Sequence, residues 1–200
     1  MKQTAIHQVY ERLNRARDAV KRMAETDPHN YKAFEQPWSE FLQAASGIYN
    51  KLEQGAKGCP KSEGWYGRKK HDRKKDPLLM YLKEARAADH HGIMGTTMVR
   101  FAAKIDGRTQ GVKLSQGQDG TATLQPTDPS KPFEGFPPEV VLKAVKNGLY
   151  GDTFMPPKEH LGKQITSGPN DLPSAMEVSR LGLAYLEGLF VEATKLPVHV

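Results

Sequence analysis

Ile6, Val9, Leu13, Ala16, Val20 and Met23 recur in steps of three and four, so residues 4–25 read as a helix with one narrow apolar seam. Its other face carries Arg12, Arg15, Arg17, Asp18, Lys21 and Arg22 and stays wet. Thr4 is the expected cap, and the turn residues at 26–30 end the pattern. Pro37 is placed to open a second helix, along which Trp38, Phe41, Leu42, Ala45, Ile48, Tyr49 and Leu52 form a stripe broad enough for two neighbours. Residues 55–67, with several glycines and Pro60, read as a break, which puts residues 68–75 on a long connection. A third helix is the best specified. Asp76 stands at its N-cap, Pro77 at its first position, Leu78, Leu82, Ala85 and Asp89 follow the helical period, and Gly92 is placed to close it.

Beyond Gly92 the period becomes two. Val99, Phe101, Ala103 and Ile105 alternate with Arg100 and Lys104, Asp106 and Gly107 offer a hairpin turn before Val112 and Leu114, and Asp119 and Gly120 offer another. A small antiparallel meander of two or three strands is expected. Five prolines within 126–138 predict an irregular crossing. Residues 139–147 fit a short helix through Val140, Val141, Ala144 and Val145, and 153–168 reads as a loop holding His160. Ser174 and Glu177 form a capping-box pattern before a last helix. Val178, Leu181, Tyr185 and Leu189 line one of its faces and Leu183, Leu186 and Phe190 a second, so it is expected to be the most buried helix. The predicted fold is mainly α: a single domain over 1–200, with a four-helix bundle from 1–92 and 174–195. A small antiparallel β-meander and a long Pro-rich loop, 93–173, are inserted before the last helix.

Composition narrows the setting. One cysteine, Cys59, excludes an internal disulfide framework, and the first eight residues lack the apolar core of a secretion signal. A cytoplasmic protein is expected, and the absence of a long apolar run predicts no membrane partner. The net charge of +6 is concentrated: Arg68, Lys69, Lys70, Arg73, Lys74 and Lys75 fall within eight residues, just after Trp65 and Tyr66. Such a run can follow a phosphate backbone and stack on bases, or it can be a solvated surface segment.

The candidate chemistry gathers at the end of the third helix, where Arg86, Asp89, His90 and His91 stand close together. In this respect the chain resembles the HEPN superfamily, helical bundles whose members include metal-independent ribonucleases marked by an Arg, four to six residues, and a His. The matching stretch runs from Arg86 to His91, and the resemblance covers the helices of 4–92 and 174–193. It implies Arg86 bound to a scissile phosphate, His91 moving a proton to or from the ribose 2′-OH or the leaving oxygen, RNA as partner, and a homodimer with the third and last helices at its two-fold axis. Asp89, His90, His160 and the basic run would then be binding residues. No cofactor is implied. Ala87 follows Arg86 where active members carry a polar residue, which supports a second expectation: a catalytically inactive dimerisation or protein-interaction module. In that case Arg86 pairs with Asp89 one helical turn on, and the two histidines cap the helix end. A metal site is not expected, because adjacent His on a helix diverge and no Cys pair or HExxH spacing is present.

Overall fold

The computed structural model describes residues 1–27, 30–91, 95–100, 103–105, 112–116, 122–126, 133–135, 139–146, 151–165 and 173–198. The protein is mainly helical, with α1 (Gln3–Glu25), α2 (Tyr31–Ala56), α3 (Pro60–Lys75), α4 (Pro77–His91) and α5 (Ala175–Thr194). Small antiparallel strand pairs lie between α4 and α5.

The predicted seam of α1 is buried from Val9 to Met23, and every residue of the predicted α2 stripe is buried. The two helices run antiparallel with Ala5 against Gly55, where a Cβ would lie 2.4 Å from that of Ala5. Only glycine permits this approach. Helix α2 begins six residues before Pro37: Asn30 caps it by accepting from the Ala33 amide at 3.2 Å. Pro37 therefore sits inside the helix, costing the bond its missing N–H would have given to Ala33. Helix α1 starts at Gln3 with no side-chain cap, rather than after Thr4.

Residues 60–75 are a helix, not a connection. Pro60 occupies its first turn, Glu63 reaches back to accept from the Gly58 amide at 2.8 Å, and Arg73, Lys74 and Lys75 face the negative end of its dipole. Tertiary anchors outweigh the helix-breaking tendency of Gly64 and Gly67: Trp65 and Tyr66 are buried, and the Trp65 indole N–H donates to Glu192 at 2.9 Å.

Helix α4 begins as predicted. Asp76 Oδ1 accepts from the Leu79 amide at 2.9 Å, and Leu78, Leu79, Tyr81, Leu82 and Ala85 are buried. Gly92, its expected closing residue, lies outside the described residues. Helix α5 closes the core through Val178, Gly182, Leu186, Leu189 and Ala193, capped by Ser174, which accepts from Met176 at 3.2 Å. It is not the most buried helix. Leu181 and Tyr185 are only partly buried and wall a cleft, while α2 supplies the wider core surface.

Residues 139–146 are strands, β6 (Glu139–Leu142) and β7 (Val145–Lys146), not a helix. β6 pairs antiparallel with β1 (Thr97–Arg100), β2 (Ala103–Ile105) with β5 (Phe133–Gly135), and β3 (Val112–Gln116) with β4 (Ala122–Pro126). These pairings are nested: the expected hairpin of β3 with β4 is present, while β2 pairs with β5 rather than β3, so the described strands form successive rungs of a two-stranded ribbon. The turns expected at Asp106–Gly107 and Asp119–Gly120 lie outside the described residues. The ribbon's base is fastened by aromatic donors: Tyr31 to Thr97 O at 2.8 Å, Trp38 to Thr96 Oγ1 at 2.8 Å and Tyr81 to Lys143 O at 2.7 Å. β7 pairs with β8 (Thr153–Phe154), and β9 (Glu159–His160) with β10 (Lys163–Gln164) in a tight hairpin whose turn residues Leu161 and Gly162 are left-handed, with φ of 49° and 75°. Among the described residues no helix is long and apolar enough to cross a membrane.

Candidate functional site

Arg86 lies on α4, half-buried, in an open cleft of about 540 Å³ where it meets the exposed face of the α1–α2 pair. Arg12, Arg15 and Arg22 fall within one face of α1 at spacings of three and seven, and they line the same cleft. Four guanidinium groups thus come together from two helices distant in sequence. Asp18 and Glu40 are the acids beside them. Glu40 engages Arg22 with both oxygens, which holds its carboxyl below and the Arg22 guanidinium above their ordinary values. Among the described residues Arg15 and Arg86 make no ion pair, so their charge is available to an incoming anion.

Gly47 shapes this cleft. The Arg12 side chain crosses α2 over it so closely that a Cβ there would lie 2.6 Å from Arg12 Nε. A larger residue would displace the guanidinium rather than the helix, because the crowded atoms belong to the far end of a flexible side chain.

Arg86 does not pair with Asp89. The Asp89 carboxylate accepts from Ser39 Oγ at 2.6 Å, tying α4 to α2 and leaving Arg86 to the cleft. The side chains of His90 and His91 lie outside the described residues; the backbone places His91 in the last turn of α4, five residues beyond Arg86.

The basic run is largely engaged within the fold. Lys69 pairs with Glu192 at 2.9 Å, Lys70 with Glu53 at 3.2 Å, and the Arg73 guanidinium lies 4.0 Å from the centroid of the Tyr49 ring. Burial lowers the Arg73 pKa against the opposing pull of Tyr49, Tyr66 and Glu84. Arg68, Lys74 and Lys75 remain without an ion pair among the described residues.

His160 is far from Arg86. It packs on the N-terminus of α4, ten helical residues or about 15 Å away. Its Nδ1 is 3.0 Å from Asp76 Oδ1, and the Leu161 amide donates to Asp76 Oδ2 at 2.7 Å. Burial opposes ionisation of Asp76, yet the hydrogen bonds from Leu161, His160 and Leu79 prevail and hold its carboxyl below the usual range. An ionised carboxylate only accepts, so His160 carries its proton on Nδ1. The ring stands edge-on to Tyr185 at 5.6 Å between centroids, and both line a second cleft of about 610 Å³. Behind it, the Tyr49 and Tyr185 hydroxyls are buried near one another and act on each other's ionisation.

Sequence reasoning placed Arg86 at a candidate site but left Arg12, Arg15 and Arg22 as a wet face. Their spacing on one side of a helix was the available signal. Nothing local marks the meeting of Asp76 with His160, 84 residues apart. Among the described residues no group of three His, Cys, Asp or Glu side chains could hold a metal ion. The chain matches no protein-family model, no curated protein and no solved structure.

Proposed function

We propose that the protein binds RNA through the arginine cleft, with α1, α2, α4 and α5 as a HEPN-like four-helix core and α3 as an addition to it. The observation that carries this reading is the convergence of Arg12, Arg15 and Arg86, none of them in an ion pair among the described residues, on one open groove. A guanidinium fork matches two phosphate oxygens, and its charge does not titrate away at any physiological pH. In the ribonuclease form of the reading Arg86 holds the scissile phosphate. His91, at the end of the same helix, takes the 2′-OH proton or returns one to the leaving oxygen. The homodimer implied by the same resemblance is part of this reading.

Three features support RNA binding over a purely structural role. Asp89 is satisfied by Ser39, Arg22 is the cleft arginine tied to an acid, and Gly47 leaves room for Arg12. Ala87 favours binding without cleavage, the second form of the proposal.

The test is fluorescence anisotropy with a labelled single-stranded RNA of about 20 nucleotides, titrated with salt. Three phosphate contacts give a slope of log K against log salt of about −2 for a single strand. Gly47→Ala, which swings Arg12 away while favouring the helix, is expected to weaken binding several-fold without lowering the melting temperature. Absence of binding at about 50 mM salt, where phosphate contacts are strong, would remove the proposal. Cleavage that survives in His91→Ala would remove the role given to His91.

A further inference from the structure

The cleft at His160 is built from different parts and lined by different groups. Its floor is one face of α5, where Leu181, Tyr185 and Leu189 present apolar surface. His160 is 8% exposed and rigidly set: Asp76 takes its Nδ1–H, and the hairpin turn holding it is itself fastened to Asp76 through the Leu161 amide. In the neutral imidazole a proton on Nδ1 leaves the lone pair on the remaining ring nitrogen, Nε2, which can then accept. Among the described residues it has no partner, and it is not among the polar atoms sealed in the interior.

The other polar groups of the cleft sort by whether they are taken. Lys69 and Glu192 satisfy each other at 2.9 Å. Asp72 and Glu177 make no ion pair among the described residues, and Lys163 is the cation left on the exposed rim. What the cleft offers is an apolar floor with three acceptors around it: the imidazole lone pair and two carboxylates. As a clasp for the hairpin, the Asp76–His160 pair needs Nδ1 alone; it gives no reason for the ring to line an apolar-floored cavity.

We infer that this cleft binds a small organic amine with an aryl or alkyl body, the body lying on the α5 face and the ammonium donating to His160 Nε2 and the Asp72 or Glu177 carboxylate. The volume is in the range of small-molecule sites, and an ammonium with several donors matches a set of acceptors with none. Burial pushes the Tyr185 hydroxyl up to about 12, and the nearby carboxylates Asp72, Glu192 and Asp76 act in the same direction. Arg73 stacks on Tyr49 and does not line the cleft. The inference is independent of RNA binding, which uses the far end of α4.

The experiment is calorimetric titration of the full chain with phenethylamine, 2-phenylethanol and phenylacetate, which share a body and differ in head group. Phenethylamine should bind at least about tenfold more tightly than phenylacetate, the size expected of a charge-assisted contact. Its affinity should fall by a similar factor in Asp72→Asn, a half-exposed position whose loss leaves the melting temperature unchanged. In ¹⁵N-detected spectra of the histidine rings, phenethylamine should move the His160 Nε2 signal and leave Nδ1 protonated. Equal or tighter binding of phenylacetate would overturn the inference by showing that Lys163 sets the specificity. Absence of heat from all three at millimolar concentration, or an unmoved His160 signal, would overturn it as well.

Discussion

Asp76 accepts from the Leu79 amide, from the Leu161 amide and from His160, so one carboxylate both starts α4 and holds a hairpin from far along the chain. The first of these bonds is readable from the sequence, since an Asp followed by Pro before an apolar period is a local signal. The other two depend on which loop returns to the helix end, and no local pattern carries that. Asp76→Asn keeps a capping residue but gives up the charge that three donors share. Charge-assisted hydrogen bonds contribute about 1.5–3 kcal/mol each, so a loss on the order of 1–3 kcal/mol is expected at pH 7. The folded carboxyl titrates below its ordinary value, so its stabilisation is present in full above about pH 4 and is lost as pH falls through the folded value. Urea denaturation should therefore show a gap between the two proteins at pH 7 that narrows at about pH 3. A gap that widened in acid would show that the carboxylate is not the stabilising form.

At the scale of elements, the helices with a strong apolar period were legible and the one without it was not. Helices α1, α2 and α5 each bury a stripe of three- and four-residue steps, whereas α3 buries only Ser62, Trp65 and Tyr66 and is otherwise glycine and charge. It stands on contacts to Glu192, Glu53 and Tyr49 that belong to other elements. Residues 139–146 show the converse: Val140, Val141 and Val145 fit a helical period but are also a β-branched run suited to a strand, and pairing with β1 and β8 decides for strand. Gly182 marks where α5 meets the core. A Cβ there would lie 2.9 Å from Leu82 Cδ1 and 3.1 Å from Phe41 Cζ. Gly182→Val adds two further methyl groups at the same contact and is expected to cost about 1–3 kcal/mol by overpacking. Thermal melting would register it as a drop of several degrees, and an unchanged melting temperature would mean that α5 does not seat on Phe41 and Leu82.

Across the whole molecule, α4 carries a cleft at each end: the His160 cavity beside its N-terminus and the arginine groove towards its C-terminus. The fold treats the two basic stretches of the sequence, 68–75 and the polar face of α1, differently. The run at 68–75 lies within α3, with Lys69, Lys70 and Arg73 occupied by internal partners. The arginines that stay available on α1 are joined by Arg86 from sixty residues or more along the chain. The proposed RNA binding therefore rests on the α1–α2–α4 groove rather than on residues 68–75. The most direct measurement sets these two surfaces against each other, comparing RNA affinity and its salt dependence in Arg12→Ala/Arg86→Ala and in Arg68→Ala/Lys74→Ala/Lys75→Ala. The cleft variant should lose about tenfold or more in affinity and flatten the salt slope by about 1.4, at about 0.7 per lost phosphate contact, while the α3 variant stays within about threefold of the parent. Loss confined to the α3 variant, with the cleft variant binding as the parent does, would contradict the account.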